Sequence, residues 1–350
     1  MTATGEEQVY YRGGVIKLIV QIPALNEEET LAEALADIPR EIPGISKVEI
    51  LVIDDGSTDR TVEVAKNAGA DHVLRMSSHV GLARAFMAGV EECIRQGADV
   101  IVNTDADNQY CGADIPKLVT PIIERRAQIV VGARPIDTIE SWSPLKKALQ
   151  KLGSWVVRQA SGTDIPDAPS GFRAYSRDAA ARLCVINTYT YTLETIIQAG
   201  RKQIPMISVP IGVNVVTRKS RLFKGIGEYV SRSAKTIVRI FIIYKPLRFF
   251  LGLTALFALP GLFGVLRFLI LYMTGSGDGH IQSLVLSGAL LAMASIMVTA
   301  GILADLISAN RSLLEDVRAR QLLREAPQNE TMAKPITARK KAAATKAAKS

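Results

Sequence analysis

Ala98-Asp-Val-Ile-Val102, running into Asn103-Thr-Asp-Ala-Asp-Asn-Gln-Tyr110, is the stretch that decides the fold. Its apolar, β-branched opening reads as a short buried strand, and the strand breaks into a burst of carboxylates. Asp105 and Asp107 stand two positions apart. At a strand end, where the chain turns, that spacing lets one or both reach a common cation. Hard oxygen ligands of this kind suit Mg2+ or Mn2+, which keep waters and bridge to substrate phosphates. A loop whose acids are merely solvated is the ordinary alternative. A second acidic strand end, Asp54-Asp55, tips the balance toward a metal-bearing cleft.

Outward from this stretch, strands and helices alternate. Residues 15–22, 48–53, 71–75 and 128–134 read as further strands. Between them, residues 30–36, 60–68, 81–94 and 115–125 have helical spacing, with Pro121 expected to kink the last. Ser57 or Thr58 is placed to cap the helix that starts at Arg60. Farther on, 143–162 looks helical and amphipathic, and 164–176 is rich in turn formers and ends in a short strand. Helices follow at 177–184 and 190–199, and then an edge strand at 204–216 interrupted by Pro205 and Pro210. This alternation implies an α/β fold with a mostly parallel sheet covered on both faces. Ligands bind beyond the carboxyl ends of the strands in such sheets. Residues 23–28, 54–59, 105–109 and Arg134 all fall at those ends, so they are expected to face one cleft. Thr217-Arg-Lys-Ser-Arg221 is a compact basic loop, either a solvated turn or a clamp for phosphate oxygens.

The 350 residues are 48% hydrophobic and carry a net charge of +8. Residues 249–273 and 281–308 are nearly unbroken apolar runs, each long enough to span a hydrocarbon core of about 30 Å. The turn between them lacks Lys and Arg, whereas Lys245, Arg248, Arg311, Arg318 and Arg320 flank the pair. The charge bias predicts a two-helix transmembrane hairpin in the cell membrane, with the catalytic domain and both termini cytoplasmic. Residues 225–247 have basic residues beside an apolar stripe and read as an interfacial helix. An N-terminal extension (1–14) shows no signal peptide. The region from 311 to 350 reads as a basic, largely disordered tail. Small residues in the second span (Gly288, Ala289, Ala292, Ala294, Ser295) leave room for a homo-oligomer. The three cysteines form no Cys-x-x-Cys pair, which argues against a disulfide framework or a zinc site. Positive charge gathers near the membrane and in the tail without aromatic interleaving, so nucleic acid is not the expected partner.

With these residues in place, the chain resembles family 2 glycosyltransferases of the GT-A fold, and within them the polyprenyl-phosphate glycosyltransferases of the two-span bacterial type. Pro23-Ala-Leu-Asn-Glu-Glu matches the opening motif, Asp54-Asp-Gly-Ser-Thr-Asp the nucleotide-binding turn, Asp105-Ala-Asp-Asn-Gln the metal motif and Ser170-Gly-Phe-Arg-Ala-Tyr the acceptor-side motif. The resemblance implies a Rossmann-like catalytic domain over 15–224 and an inverting transfer from a nucleotide sugar, UDP favoured and GDP possible, to a polyprenyl phosphate. It implies that Pro23, Ala24, Glu27, Asp54, Asp55, Asp105 and Ala106 line the nucleotide pocket. Asp105, Asp107 and Gln109 would hold Mg2+ or Mn2+. Arg134, Ser170, and Arg218 or Arg221 would meet the acceptor phosphate, with Asp107, Asp167 and Arg134 at the catalytic centre. Two stretches depart from the family's pattern: His79-Val-Gly-Leu-Ala stands where Asn-x-Gly-Lys-Gly is common, and Arg218-Lys-Ser-Arg where Gly-Glu-Ser-Lys is common. A lipid phosphate is already anionic at neutral pH and needs positioning rather than a base. A lipid hydroxyl would need a true base, for which Asp167 is the candidate. A non-catalytic membrane scaffold is the remaining alternative, and the intact Asp105/Asp107 pair argues against it.

Overall fold

The described residues form seven strands, most of them rich in branched apolar residues: β1 (Lys17–Ala24), β2 (Lys47–Asp54), β3 (His72–Arg75), β4 (Val100–Asn103), β5 (Ile129–Ala133), β6 (Arg173–Ser176) and β7 (Met206–Pro210). The computed structural model describes residues 15–135, 151, 153–155, 157–158, 161–185, 191–214, 246–275 and 281–327. The N-terminal extension, the basic loop with Arg218 and Arg221, the stretch 225–245 and the tail from 328 lie outside the described residues. The strands join one sheet in the order β3-β2-β1-β4-β6-β5-β7. Every pair is parallel except those of β6, which runs antiparallel to both β4 and β5. After their first residues β1 and β2 are buried along their whole length. This is why they read as continuous apolar runs rather than alternating ones.

Helices α1 (Leu31–Ala36), α2 (Thr61–Asn67), α3 (Leu82–Arg95), α4 (Ile115–Ile123), α5 (Arg177–Arg182) and α6 (Thr192–Arg201) complete this layer. One face of the sheet contributes Leu18, Val20, Ile22, Ile50, Val52, Val102, Phe172 and Ala174 to a core shared with Leu31, Leu35, Leu118 and Val119. On the other face α3 comes so close at Gly89 that a Cβ there would stand 2.5 Å from Gln21 Oε1 and 2.7 Å from Ile53 Cδ1. Pro121 lies inside α4, which ends two residues later at Ile123. The amides of Arg126 and Ala127 both donate to the Pro121 carbonyl, closing the helix end.

The chain divides into two compact units, Met1–Lys224 with Val317–Ser350, and Gly225–Asp316. The second unit carries α7 (Pro246–Met273) and most of α8 (Ile281–Glu325). Both contain a stretch of mean hydropathy 2.1, of which only 6% and 11% of the residues are buried. Helices so apolar and so exposed are suited to lipid, not to a protein core. They pack antiparallel through glycines. A Cβ on Gly261 would meet Leu291 at 3.1 Å, one on Gly264 would overlap Ser287 Oγ, and one on Gly301 would meet Phe250 at 2.8 Å. Of the small residues expected to mediate association, Ala294 is buried, whereas Gly288 has open space around it.

α8 continues well past the apolar run, because Arg311–Glu325 contains no glycine or proline and Arg311 pairs with Glu315 one turn on at 2.8 Å. Its last residues belong to the first unit. There Arg318 donates to the Leu183 carbonyl at 3.0 Å and pairs with Glu91 on α3. Arg177 caps this docking by donating to the Pro327 carbonyl at 3.2 Å.

The interior tolerates no added atom where α6 crosses the preceding helical turn. A Cβ on Gly200 would stand 2.2 Å from the backbone oxygen of Ser161. Gly200→Ala is expected to destabilise the first unit by about 1–3 kcal/mol despite its better helix propensity. Thermal melting in detergent should show a midpoint lowered by several degrees.

Candidate active site

The loops after β1 and β2 are sewn together. Asp55 N donates to the Ala24 carbonyl at 2.9 Å, which continues the sheet by one residue. Asn26 adopts a left-handed backbone (φ 54°). Its amide donates to Ser57 Oγ at 2.9 Å, and its side-chain oxygen accepts from Thr58 N at 2.8 Å. Ser57 and Thr58 therefore hold the neighbouring loop instead of capping α2, and the Thr61 amide turns to Asp59 Oδ1 at 2.9 Å. Glu27 N reaches Thr61 Oγ1 at 2.9 Å, and Thr30 Oγ1 ties the loop to the Ala106 carbonyl at 2.9 Å. Pro23, the last Cα of β1 but one, pairs with Ile53.

Asp54 and Asp55 are both buried but differ in use. Asp55 accepts from Val80 N and Gly81 N at 2.8 and 3.0 Å and pairs with His79 Nδ1 at 2.8 Å, so its carboxylate anchors the start of α3. Asp54 accepts from Ser57 N through Oδ1, while Oδ2 has no hydrogen-bond partner and has Arg75 Nε 3.4 Å away. Of the two, Asp54 has the carboxylate oxygen without a hydrogen bond, and that atom is buried beside Arg75.

The Asp turn follows β4. Asn108 takes the left-handed conformation (φ 54°) that asparagine tolerates. Gln109 donates its side-chain amide to Asp107 Oδ2 at 2.7 Å, so in this structure it orients Asp107. Asn214, which leads into the basic loop, donates to the Gln109 carbonyl at 3.0 Å and the Asn108 carbonyl at 3.1 Å. Burial and the Asp107 carboxylate push the Asp105 carboxyl up to about 7; Arg134 and Arg173 pull it down, and Glu27 adds to the rise. Two carboxylates that resist joint ionisation form a site short of positive charge.

After β5, Arg134 meets Asp167 in a two-point pair, Nε to Oδ2 at 2.7 Å and Nη2 to Oδ1 at 2.9 Å, with its backbone amide on Oδ2 as well at 3.2 Å. Asp167 is 1% exposed, and its role here is to hold a guanidinium. Ser170 is fully buried, and its hydroxyl has no hydrogen-bond partner. Gly171 lies directly against the metal side, since a Cβ there would meet Asp105 Oδ1 at 3.1 Å and the Tyr191 hydroxyl at 2.9 Å.

Sequence reasoning did not single out the polar relay beneath these groups. Gln21, in the middle of buried β1, donates to Asn103 Oδ1 at 2.9 Å. Asn103 in turn donates to the Gly171 carbonyl at 3.0 Å and the Tyr191 hydroxyl at 2.8 Å. Tyr110 receives Gly171 N at 3.0 Å and stacks on Phe172. Burial lifts the Tyr110 hydroxyl to about 12, which keeps it neutral. The signal was present in a glutamine amid an otherwise apolar strand.

Among the described residues no three His, Cys, Asp or Glu side chains form a closed cage. The donor set nevertheless fits a hard divalent cation. Asp105 and Asp107 offer only oxygen, and the remaining positions fall to water and phosphate oxygens, as Mg2+ or Mn2+ prefers.

Residues 19–184 match the family described as Glycosyl transferase family 2. Polyprenol monophosphomannose synthase of Mycolicibacterium smegmatis is 30% identical over 56% of this chain and 76% of its own length. This chain belongs to glycosyl transferase family 2. A second relative of this glycosyltransferase, undecaprenyl-phosphate mannosyltransferase of Micrococcus luteus, is 29% identical over 56% of the chain and 83% of its own length. The fold also matches glucosyl-3-phosphoglycerate synthase of Mycobacterium tuberculosis, solved with Mn2+, UDP and phosphoglyceric acid. That match has TM-score 0.52 and 18% identity over 66% of this chain and 78% of the other.

The raised Asp105 pKa has a consequence for the stability of the metal-free glycosyltransferase. A carboxyl raised from about 4 in the unfolded chain to about 7 in the folded one contributes its full stability only below pH 4. That contribution is lost as the pH rises through 7. Asp105→Asn removes this loss. The metal-free variant should melt several degrees above wild type at pH 8, with the gap closing toward pH 4, in parallel melts across that range. Added Mn2+ should raise the wild-type midpoint and leave that of the variant unmoved.

Proposed function

We propose that this glycosyltransferase moves a sugar from a nucleotide sugar, UDP-linked in preference to GDP-linked, to a polyprenyl phosphate at the cytosolic membrane face. The transfer inverts the anomeric carbon and yields a polyprenyl-phosphate sugar. One observation carries the reading. The residue best placed to serve as a general base, Asp167, is committed to Arg134, so the cleft offers a fixed cation to the acceptor instead of a proton acceptor. An acceptor already anionic at neutral pH, with a second pKa of about 6, fits that provision. The names of the two relatives point to the same class of acceptor.

The geometry supports a set of roles. Asp54, whose Oδ2 lacks a hydrogen bond, would face the nucleoside, with Pro23, Ala24, Glu27, Asp55 and Ala106 around it. Asp105 and Asp107 would hold the cation, with Gln109 setting the angle of Asp107. When bound, a divalent ion supplies Lewis-acid stabilisation to the departing diphosphate. Arg134, steered by Asp167, would orient the acceptor phosphate opposite the leaving group, with the buried Ser170 hydroxyl, which has no hydrogen-bond partner, as a further candidate contact. Asn214, which precedes the basic loop in sequence, is tied to Gln109, and this supports Arg218 or Arg221 as further acceptor contacts. The two apolar helices would form a hairpin with both termini in the cytosol, keeping the cleft at the interface where a polyprenyl phosphate presents its head.

The test incubates detergent-purified protein with Mn2+, polyprenyl phosphate and a panel of radiolabelled UDP- and GDP-sugars. Label should enter the organic phase, be released by mild acid, and be lost in Asp107→Ala. Asp167→Asn should slow transfer by about 10- to 100-fold, as loss of positioning does. Complete loss in Asp167→Asn, with label appearing instead on a lipid hydroxyl, would replace the phosphate reading.

A further inference from the structure

Arg173 is fully buried, yet none of its hydrogen bonds goes to a carboxylate. Nε donates to the Ser170 carbonyl at 2.8 Å and Nη2 to the Ala168 carbonyl at 2.6 Å. Nη1 donates to the Thr192 carbonyl at 2.8 Å and to Thr195 Oγ1 at 2.6 Å. A buried charge bound only to neutral oxygens is expensive to desolvate and is retained where its geometry has a use. Two of its partners lie in the loop that carries Asp167 and Gly171. The other two lie in the first turn of α6, directly after Tyr191. Gly171 and Tyr191 are the groups that border Asp105 and Asn103. The planar fork of the guanidinium thus joins the loop that aims Arg134 to the helix start that flanks the metal-side carboxylate, and a lysine cannot span four acceptors in this way.

We propose that Arg173 is a positioning residue that fixes the distance between the donor side of the cleft, at Asp105, and the acceptor side, at Arg134. It touches neither substrate. It acts through the carbonyls of Ala168 and Ser170, and through the Thr195 hydroxyl, which itself returns a hydrogen bond to the helix backbone at Tyr191 or Thr192. In-line transfer requires the reacting atoms at about 3–3.5 Å, and a misplacement of about 1 Å costs on the order of 100-fold in rate. The donor pocket proper, built on the loops after β1 and β2, makes no hydrogen bond to Arg173. Its loss should therefore appear in kcat and not in nucleotide affinity.

This inference rests on the transfer reaction proposed above, and the experiment separates the two. Wild type, Arg173→Lys, Thr195→Val and Thr195→Ser are compared in the lipid-transfer assay, with Mn2+-dependent UDP binding and thermal midpoints measured alongside. The expected result is a kcat lowered about 30- to 100-fold in Arg173→Lys, with UDP affinity within threefold of wild type. Thr195→Val should lose about 3- to 10-fold in kcat at an unchanged midpoint, and Thr195→Ser, which keeps the hydroxyl, should recover it. If Arg173→Lys does not fold, the Thr195 pair decides the matter alone. Folded variants with kcat within twofold of wild type, or a loss confined to UDP binding, would overturn the inference. A wild-type protein that transfers no sugar from any donor sinks the parent reading and this one with it.

Discussion

A parallel sheet buried on both faces leaves its polar chemistry nowhere to go but the strand ends. β1, β2 and β4 are covered by helices, and their polar residues gather where the strands end: Asn26–Glu27, Asp54–Asp55 and Asn103–Asp105. Three of the polar groups that do enter the interior, Gln21, Asn103 and Tyr191, are joined donor to acceptor. A relay of this kind is costly if any member is missing, and it holds Gly171 against Asp105 without using either carboxylate.

β6 turns this general arrangement into a two-sided cleft. Inserted antiparallel between two strands that point the other way, it starts where β4 ends, so that Arg173 pairs in register with Asn103. The Ser170–Gly171 turn therefore arrives beside the Asp turn, and residues separated widely in sequence become neighbours. The two sides are charged differently. Asp105, Asp107 and Glu27 crowd one, and Arg134 stands on the other with its own counter-ion. In the transfer proposed above, a cation and a sugar diphosphate would complete the first, and an anionic acceptor would meet the second.

Much of this was legible from sequence alone because it rests on local patterns. Continuous apolar runs marked buried strands, and carboxylates at their ends marked the cleft. The loop wiring was harder to read. Ser57 was expected to cap α2 but serves Asn26, because a hydroxyl in a tight turn can satisfy either of two amides and only the packing of the neighbouring loop decides which. The sequence around Asp167 gives no sign of the Arg134 pairing that its carboxylate makes in the fold. Arg173 sat inside a recognised motif without a role, since nothing in the spacing of residues reveals that four neutral oxygens will converge on it. The extent of α8 was also underestimated, because a charge-rich stretch of good helix formers looks like a solvated tail until Arg318 finds Glu91 and Leu183.

That last docking bears on the order in which the protein can be made. Residues 317–327 pack with Glu91, Gly97, Arg177 and Leu183, yet they are synthesised after both apolar helices. A nascent chain that has completed every strand of the sheet still lacks this piece of its first unit. The final packing step must wait until the ribosome has passed through both hydrophobic segments. Maturation of the catalytic fold is thus timed by translation of the anchor, and a chain truncated between the two helices would be left with an unfinished surface on α3.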